Sequence, residues 1–260
     1  MHRVLIRGGG DLATGVALRL YRAGCRPAIA ELPEPLAVRR TVAFCEAVYE
    51  GEWPVEGVTA RRADSLDQAL GFAERGLVPV LVAPRIPDLW WSSFQAVVDA
   101  RLTKRPPETD KSVAALVVGL GPGFVAGRDC HAVVETQRGH RLGRVLWSGS
   151  AQPDTAVPDG DPRRVLRSPA DGRLRAHLEI GQHVEAGQPI ADVEGVPVPS
   201  PLSGMLRGLI RPGLAVSRGL KIGDIDPRDV REHCYTVSDR ALAVGGGVLE
   251  ALWTPPGLQR

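Results

Sequence analysis

Lysine is nearly absent from this chain of 260 residues. Of its 32 basic residues only Lys104, Lys111 and Lys221 are lysines, so chemistry that needs an amine has three places to sit. Cysteine is also scarce. Cys25, Cys45, Cys130 and Cys234 contain no CxxC pair, which excludes the usual spacings of zinc and iron–sulfur sites and fits unpaired thiols of a reducing compartment. No apolar run approaches the roughly 18 residues of a membrane span, and the N-terminus runs straight into a strand pattern without a signal-peptide layout. A formal net charge of +2 lacks the basic excess of a nucleic-acid or membrane-surface binder. Together these absences predict a cytoplasmic protein with no nucleic-acid or membrane partner. With 43% apolar and 24% charged residues, the length suits one large domain or two ordinary ones.

The first 125 residues alternate short apolar runs with helical patterns. RVLIR at 3–7, PAIAE at 27–31, and stretches at 78–83, 94–100 and 113–120 read as strands. LATGVALRLYRAG, a segment at 35–50, and SLDQALGFAERG opening at an N-cap Ser65 read as helices. Alternation of this kind predicts an α/β fold, a Rossmann-like doubly wound parallel sheet whose ligands sit at the carboxyl ends of its strands. QPDTAVPDGDP at 152–162 reads as a linker or flap.

An internal repeat follows. SPADGRLRAHLEIGQHVEAGQPIADV at 168–193 aligns without gaps on SPLSGMLRGLIRPGLAVSRGLKIGDI at 200–225, with ten of 26 positions identical. Glycines at equal intervals predict short strands and tight turns, two copies burying one core. The pattern resembles the biotinyl and lipoyl domain family, which implies a small all-β barrel-sandwich hybrid. The connection EGVPVP carries no Lys and Lys221 lies inside the second copy, so covalent biotin or lipoate is not expected. The domains read as 1–164, a nucleotide-binding domain completed by a C-terminal helix within 228–260, and 165–227, the inserted module. Glycines 245–247 in that helix each cost about 1 kcal/mol relative to Ala, which close approach of another backbone or a ligand would offset.

Gly8, Gly9, Gly10 and Asp11 stand between a strand and a helix in a G-x-G-x-x-A match ending at Ala13, and Glu31 lies 21 residues after Gly10 at the end of the second strand. That is the spacing of a dinucleotide site, with the acid on ribose hydroxyls. The same residues also suit a ligand-free turn with Asp11 as an N-cap. A carboxylate there repels a bare pyrophosphate where helix-end N–H groups attract it, which leaves Asp11 room for a catalytic role. Gly119, Gly121 and Gly123 of GLGPGF form a second loop after a strand, a tight turn or a second wall of the same cleft. Arg39 and Arg40 could meet phosphates there or line a solvated helix face. His131, Glu135 and His140 offer acid/base or weak metal-binding candidates, although HAVVET alternates like a strand.

IRGGGDLATGVALRLYRAG, RRTVAFCEAVYEG, GLGPGFVAGRDCHAVVETQRGHRLGRV, the repeat, GLKIGDIDPR and SDRALAVGGGVLEA together resemble the YqeB family of selenium-dependent molybdenum hydroxylase maturation proteins. The N-terminal part is also similar to the Rossmann-like domain of the XdhC family. The resemblance implies an accessory role in loading or activating the molybdenum cofactor of a xanthine or purine hydroxylase. Its ligand would be NAD, another dinucleotide or the molybdenum cofactor itself, and its partners the hydroxylase apoprotein, other maturation factors or a second copy of the chain. Two rivals stand beside it: an NAD-dependent oxidoreductase using His131 as acid/base, and a non-catalytic scaffold that docks the hydroxylase through the repeat module.

Overall fold

A computed structural model of the chain describes residues 2–103, 109–154 and 160–258. Lys104 and the middle of the linker expected at 152–162 lie outside the described residues. The chain divides into two units. One comprises 1–35, 44–155 and 237–260; the other comprises 36–43 and 156–236.

The first unit is built on nine strands: β1 Arg3–Arg7, β2 Arg26–Glu31, β3 Glu52–Val55, β4 Val58–Ala63, β5 Val78–Val82, β6 Ala96–Asp99, β7 Leu116–Leu120, β8 Ala132–Val134 and β9 Val145–Leu146. They form one sheet in the order β3-β4-β5-β2-β1-β6-β7-β8-β9. Strands β4 to β8 pair in parallel, and β3 and β9 pair antiparallel at the two edges. The central strands are buried on both faces, which is why they read as continuous apolar runs.

Five helices accompany the sheet: α1 Asp11–Arg22, α2 Ala47–Glu50, α3 Leu66–Glu74, α4 Asp88–Trp91 and α5 Asp239–Trp253. Ser65 and Ser238 cap α3 and α5 by accepting from Gln68 N–H and Ala241 N–H. The helix expected at 35–50 is instead two 3-10 turns and the single turn α2. Part of it, residues 36–43, belongs to the second unit.

This is not the doubly wound parallel sheet expected from the alternation. The sheet is mixed. The described parts of the links from β6 to β7 and from β7 to β8 hold one 3-10 turn and no α-helix. The C-terminal α5 covers β7, β8 and β9 instead, and lies against α1. The antiparallel β3 arises from a two-residue hairpin, Glu56-Gly57, with φ of 45° and 79°. Positive φ at both positions is the geometry that matches strand twist.

The second unit holds β10 Val165–Arg167, β11 Gly172–Ala176, β12 His183–Val184, β13 Pro189–Val193, β14 Val196–Pro199, β15 Gly204–Leu209, β16 Ala215–Val216 and β17 Lys221–Asp226. These make two four-stranded antiparallel sheets, β10-β17-β15-β12 and β14-β13-β11-β16, in place of the expected barrel-sandwich hybrid. Neither ladder closes on itself. The repeat exchanges its partners: Ser168 N–H bonds Leu220 O and Ser200 N–H bonds Gln188 O, while Gly181 N–H bonds Leu206 O and Gly213 N–H bonds Leu174 O. Each pair is the other displaced by 32 residues, so both sheets draw strands from both copies. Leu174, Val184, Ile190, Leu206, Val216 and Ile222 bury one shared core between them.

The glycines of α5 differ in what holds them. A Cβ on Gly245 would meet Gly15 O at 2.7 Å and Arg19 Cγ at 2.8 Å, and one on Gly247 would strike Gly143 O, whereas one on Gly246 would meet nothing within 4 Å. Gly245→Ala is therefore expected to destabilise by about 1–3 kcal/mol through overpacking. Gly246→Ala should stabilise by about 0.5–1 kcal/mol through helix propensity. Urea unfolding of the two variants checks the opposite signs.

Candidate functional site

The loops after β1 and β7 leave the carboxyl edge of the first unit's sheet, on either side of β6. Arg7, Asp99 and Gly119 are register partners across β1, β6 and β7, so both glycine loops start from one row of the sheet.

Each glycine of the first loop has its own setting. Gly8 takes φ +96°, and its N–H donates to Ala30 O. Gly9 is crowded by the chain returning at Cys45, where an added Cβ would sit 3.0 Å from Cys45 N, and the Cys45 N–H donates to Gly9 O. Gly10 is the N-cap of α1 at φ −67°, and a Cβ there would meet nothing within 4 Å. Asp11 is the first residue of α1, so it does not serve as the N-cap, and α1 has no side-chain cap. Its first-turn N–H groups lack intrahelical acceptors.

Glu31 comes to this loop from the end of β2. Its Oε2 accepts from Gly9 N–H at 2.6 Å and its Oε1 from Leu32 N–H at 2.7 Å. Burial raises its pKa, and the two backbone hydrogen bonds oppose that rise. The buried Cys45 thiol is held well above the usual range, first by burial and then by the charges of Glu31, Glu46 and Asp11. The β2 side of the loop is thus anionic and keeps this thiol protonated.

The β6 side gathers two arginines around one buried carboxylate. Asp99, 1% exposed, accepts from Arg101 Nε at 3.0 Å, from an Arg101 terminal nitrogen at 2.7 Å and from Thr109 Oγ1 at 2.8 Å. Arg7 lies 3.6 Å from Asp99 Oδ2 and donates to Thr109 Oγ1. Burial pushes the Asp99 carboxyl up, but Arg101, Thr109 and Arg7 outweigh it and hold the group below its ordinary value. Two guanidinium groups face this carboxylate, Arg101 through two hydrogen bonds and Arg7 at 3.6 Å. Sequence reading missed Arg7, Asp99, Arg101 and Thr109; the polar residues that bracket otherwise apolar β1 and β6 were the available signal.

In the second loop Gly121 and Gly123 take φ of 70° and 107°. An added Cβ on Gly119 would strike the Phe124 ring, and one on Gly121 would lie 2.5 Å from Thr136 Oγ1 and 3.5 Å from Leu102. Of the other candidates, His131, Glu135 and His140 are not brought here. Arg40 belongs to the second unit, where its Nε donates to Leu209 O. His131 opposes Val117 at the amino ends of β7 and β8. Glu135 lies past the far end of β8, buried, with Oε1 accepting from Gln137 N–H and Oε2 from Gln152 N–H. His140 is exposed. Among the described residues no three His, Cys, Asp or Glu side chains cluster as metal ligands, and no helix is long and apolar enough to cross a membrane.

No family model matches the chain. It is 50% identical over 253 residues to the uncharacterized protein YqeB of Escherichia coli (strain K12), an alignment covering 96% of this chain and 47% of that protein. The chain thus spans about half the length of this relative, and the resemblance to YqeB runs along nearly all of it. Among solved structures, the apo ectoine utilization protein EutE (DoeB) from Ruegeria pomeroyi is similar at 11% identity and a TM-score of 0.25, covering 85% of each chain. An aspartoacylase family protein from Mesorhizobium loti is similar at 11% identity and a TM-score of 0.29, covering 86% of this chain and 84% of that one.

Asp99→Ala removes the buried carboxylate that Arg7 faces and that Arg101 and Thr109 bind, which should destabilise by about 3–5 kcal/mol. Because the folded-state pKa of Asp99 is lowered, its stabilisation is complete above the unfolded value of about 3.9 and is lost as pH falls through the lower folded value. Urea unfolding at pH 7 and in steps below pH 4 should show the deficit at neutral pH and a shallower acid limb in the variant.

Proposed function

We propose that this chain is an accessory factor in the maturation of a selenium-dependent molybdenum hydroxylase, and that it binds a nucleotide-bearing ligand, such as a dinucleotide form of the molybdenum cofactor, at Gly8–Asp11 and Gly119–Gly123. The maturation role rests on the family resemblance in the sequence. The binding role rests on Gly10. Gly8 is required by its positive φ and Gly9 by Cys45, but neither strain nor crowding requires glycine at 10. What glycine provides there is open space over the uncapped N-terminus of α1, where N–H groups and the helix dipole favour an anion.

The charges around the loops suit a ligand with two kinds of polar group. Phosphate oxygens match the N–H groups and positive dipole end at the N-terminus of α1. Hydroxyls match Glu31, whose carboxylate has about four lone-pair positions, two of them used by Gly9 and Leu32. The position of His131 at the amino ends of β7 and β8 weighs against an oxidoreductase that needs it as acid/base beside the glycine loops.

The test is calorimetric titration of the full chain with NAD, NADP, ATP, CTP and a pterin dinucleotide, repeated on Gly10→Ser. Serine is a better N-cap than glycine by a few tenths of a kcal/mol, so the variant should be as stable or slightly more stable. Its hydroxyl would occupy the donors and abolish binding. Silence with every ligand in the unaltered chain sinks the binding role, and undiminished binding in Gly10→Ser moves it away from this loop.

A further inference from the structure

His131 and Val117 form a reciprocal pair at the amino ends of β7 and β8. The His131 N–H donates to Val117 O at 2.8 Å, and the Val117 N–H donates back to His131 Nδ1 at 2.9 Å. A ring nitrogen that accepts an N–H cannot carry a proton, so the neutral imidazole holds its hydrogen on Nε2. Protonation at Nδ1 would set two N–H groups against each other. In keeping with this, burial and then the Lys111 ammonium lower the pKa of His131, with Asp110 opposing. The ring is a hydrogen-bond donor of fixed tautomer, not a proton shuttle.

It lines an open groove of about 430 Å³ together with Lys111, Ser112, Gly127, Cys130 and Trp147. Lys111 Nζ donates to Gly127 O at 2.7 Å, which holds the ammonium at the rim with two of its three protons available. The acidic neighbours are engaged: Asp110 by Ser112, and Asp129 by Arg128 and by Val125 N–H. Cys130, pushed up to about 11 chiefly by burial, is no nucleophile. What the groove presents to a guest is a cation, a neutral N–H donor and an indole.

We propose that this groove binds a small aromatic carboxylate, its oxygens on Lys111 Nζ and His131 Nε2–H and its ring against Trp147. This site lies at the ends of β7 and β8 opposite the second glycine loop and does not depend on the function proposed above. Its volume falls within the range of small-molecule pockets.

The probe is benzoate, titrated into the full chain and followed by long-range ¹H–¹⁵N spectra of the imidazoles, with the His131 signals identified by their loss in His131→Asn. Without benzoate, His131 should show the Nε2–H pattern. With benzoate its Nε2 resonance should shift to saturation. Lys111→Met should weaken binding by about tenfold or more, the size of a lost charge-assisted hydrogen bond; Lys111→Arg should retain it, and Trp147→Leu should weaken it. Benzamide should bind more weakly than benzoate. An Nδ1–H tautomer, no His131 shift at any soluble benzoate concentration, unchanged affinity in Lys111→Met or Trp147→Leu, or equal binding of benzamide would each overturn the proposal.

Discussion

The carboxyl edge of the nine-stranded sheet depends on one buried carboxylate. Asp99 ends β6, the strand between the two that launch the glycine loops, and it binds Arg101 and Thr109 while facing Arg7 of β1. A lone buried charge costs several kcal/mol, so the group is tolerable only because its partners surround it. In satisfying it they are themselves fixed: Arg101 is folded back onto the strand it follows, and Thr109 is tied to the same oxygen as Arg101. Gly8 packs against Ala100 and Arg101, within 3.5 Å of where its Cβ would lie. The wall beneath the first loop is therefore set by an ion cluster and not by apolar packing alone.

On the other side of that loop the order of causes is reversed. Glu31 is held by backbone donors, not by cations, and burial raises its pKa. A carboxylate placed this way fixes the loop through Gly9 and keeps acceptor capacity for hydroxyl groups. Carboxylates gather toward β2 and an arginine–carboxylate cluster toward β6, as the residues at the strand ends dictate. Asp11 also has a place in this arrangement without any ligand. At the first position of α1 its charge is favoured by the helix dipole.

What the sequence makes legible follows the range of the interactions. Strands β1, β2, β5, β6 and β7 lie where the apolar runs put them, because burial on both faces leaves a local trace. The Glu56-Gly57 hairpin escaped because Pro54 and a charged run disguised its strands. The mixed character of the sheet escaped because α5, some 240 residues along, takes the place that crossover helices would fill. Glu31 was visible as an acid at the right spacing, while its bond to Gly9 was not. Asp99 could not be singled out, since its meaning depends on Arg7 and Thr109 arriving from elsewhere in the chain. His131 and Glu135 are close in sequence, yet β8 carries them to opposite ends of itself.

The second unit shows how a repeat becomes asymmetric. Arg175 and Arg207 are the same position in the two copies. Arg175 pairs with Asp192 at 2.8 Å with its side chain 75% exposed, while Arg207 lies 3.5 Å from Asp226 with its side chain 9% exposed. The difference comes from outside the repeat. Residues 36–43 and the 3-10 turn Arg231–Cys234 cover β15, with Val38 against Gly208, Arg40 bonded to Leu209 O and Thr41 bonded to Cys234 O. Among the described residues no such segment covers Arg175 on β11, whose side chain stays exposed. Burial, with Arg39 nearby, lowers the Arg207 pKa to about 10, and the carbonyl of His233 accepts from both Arg39 and Arg207. A cation that was free to stay in water in one copy has become a structural element in the other, so the eight residues at 36–43 belong to the second unit by energetics as well as by position.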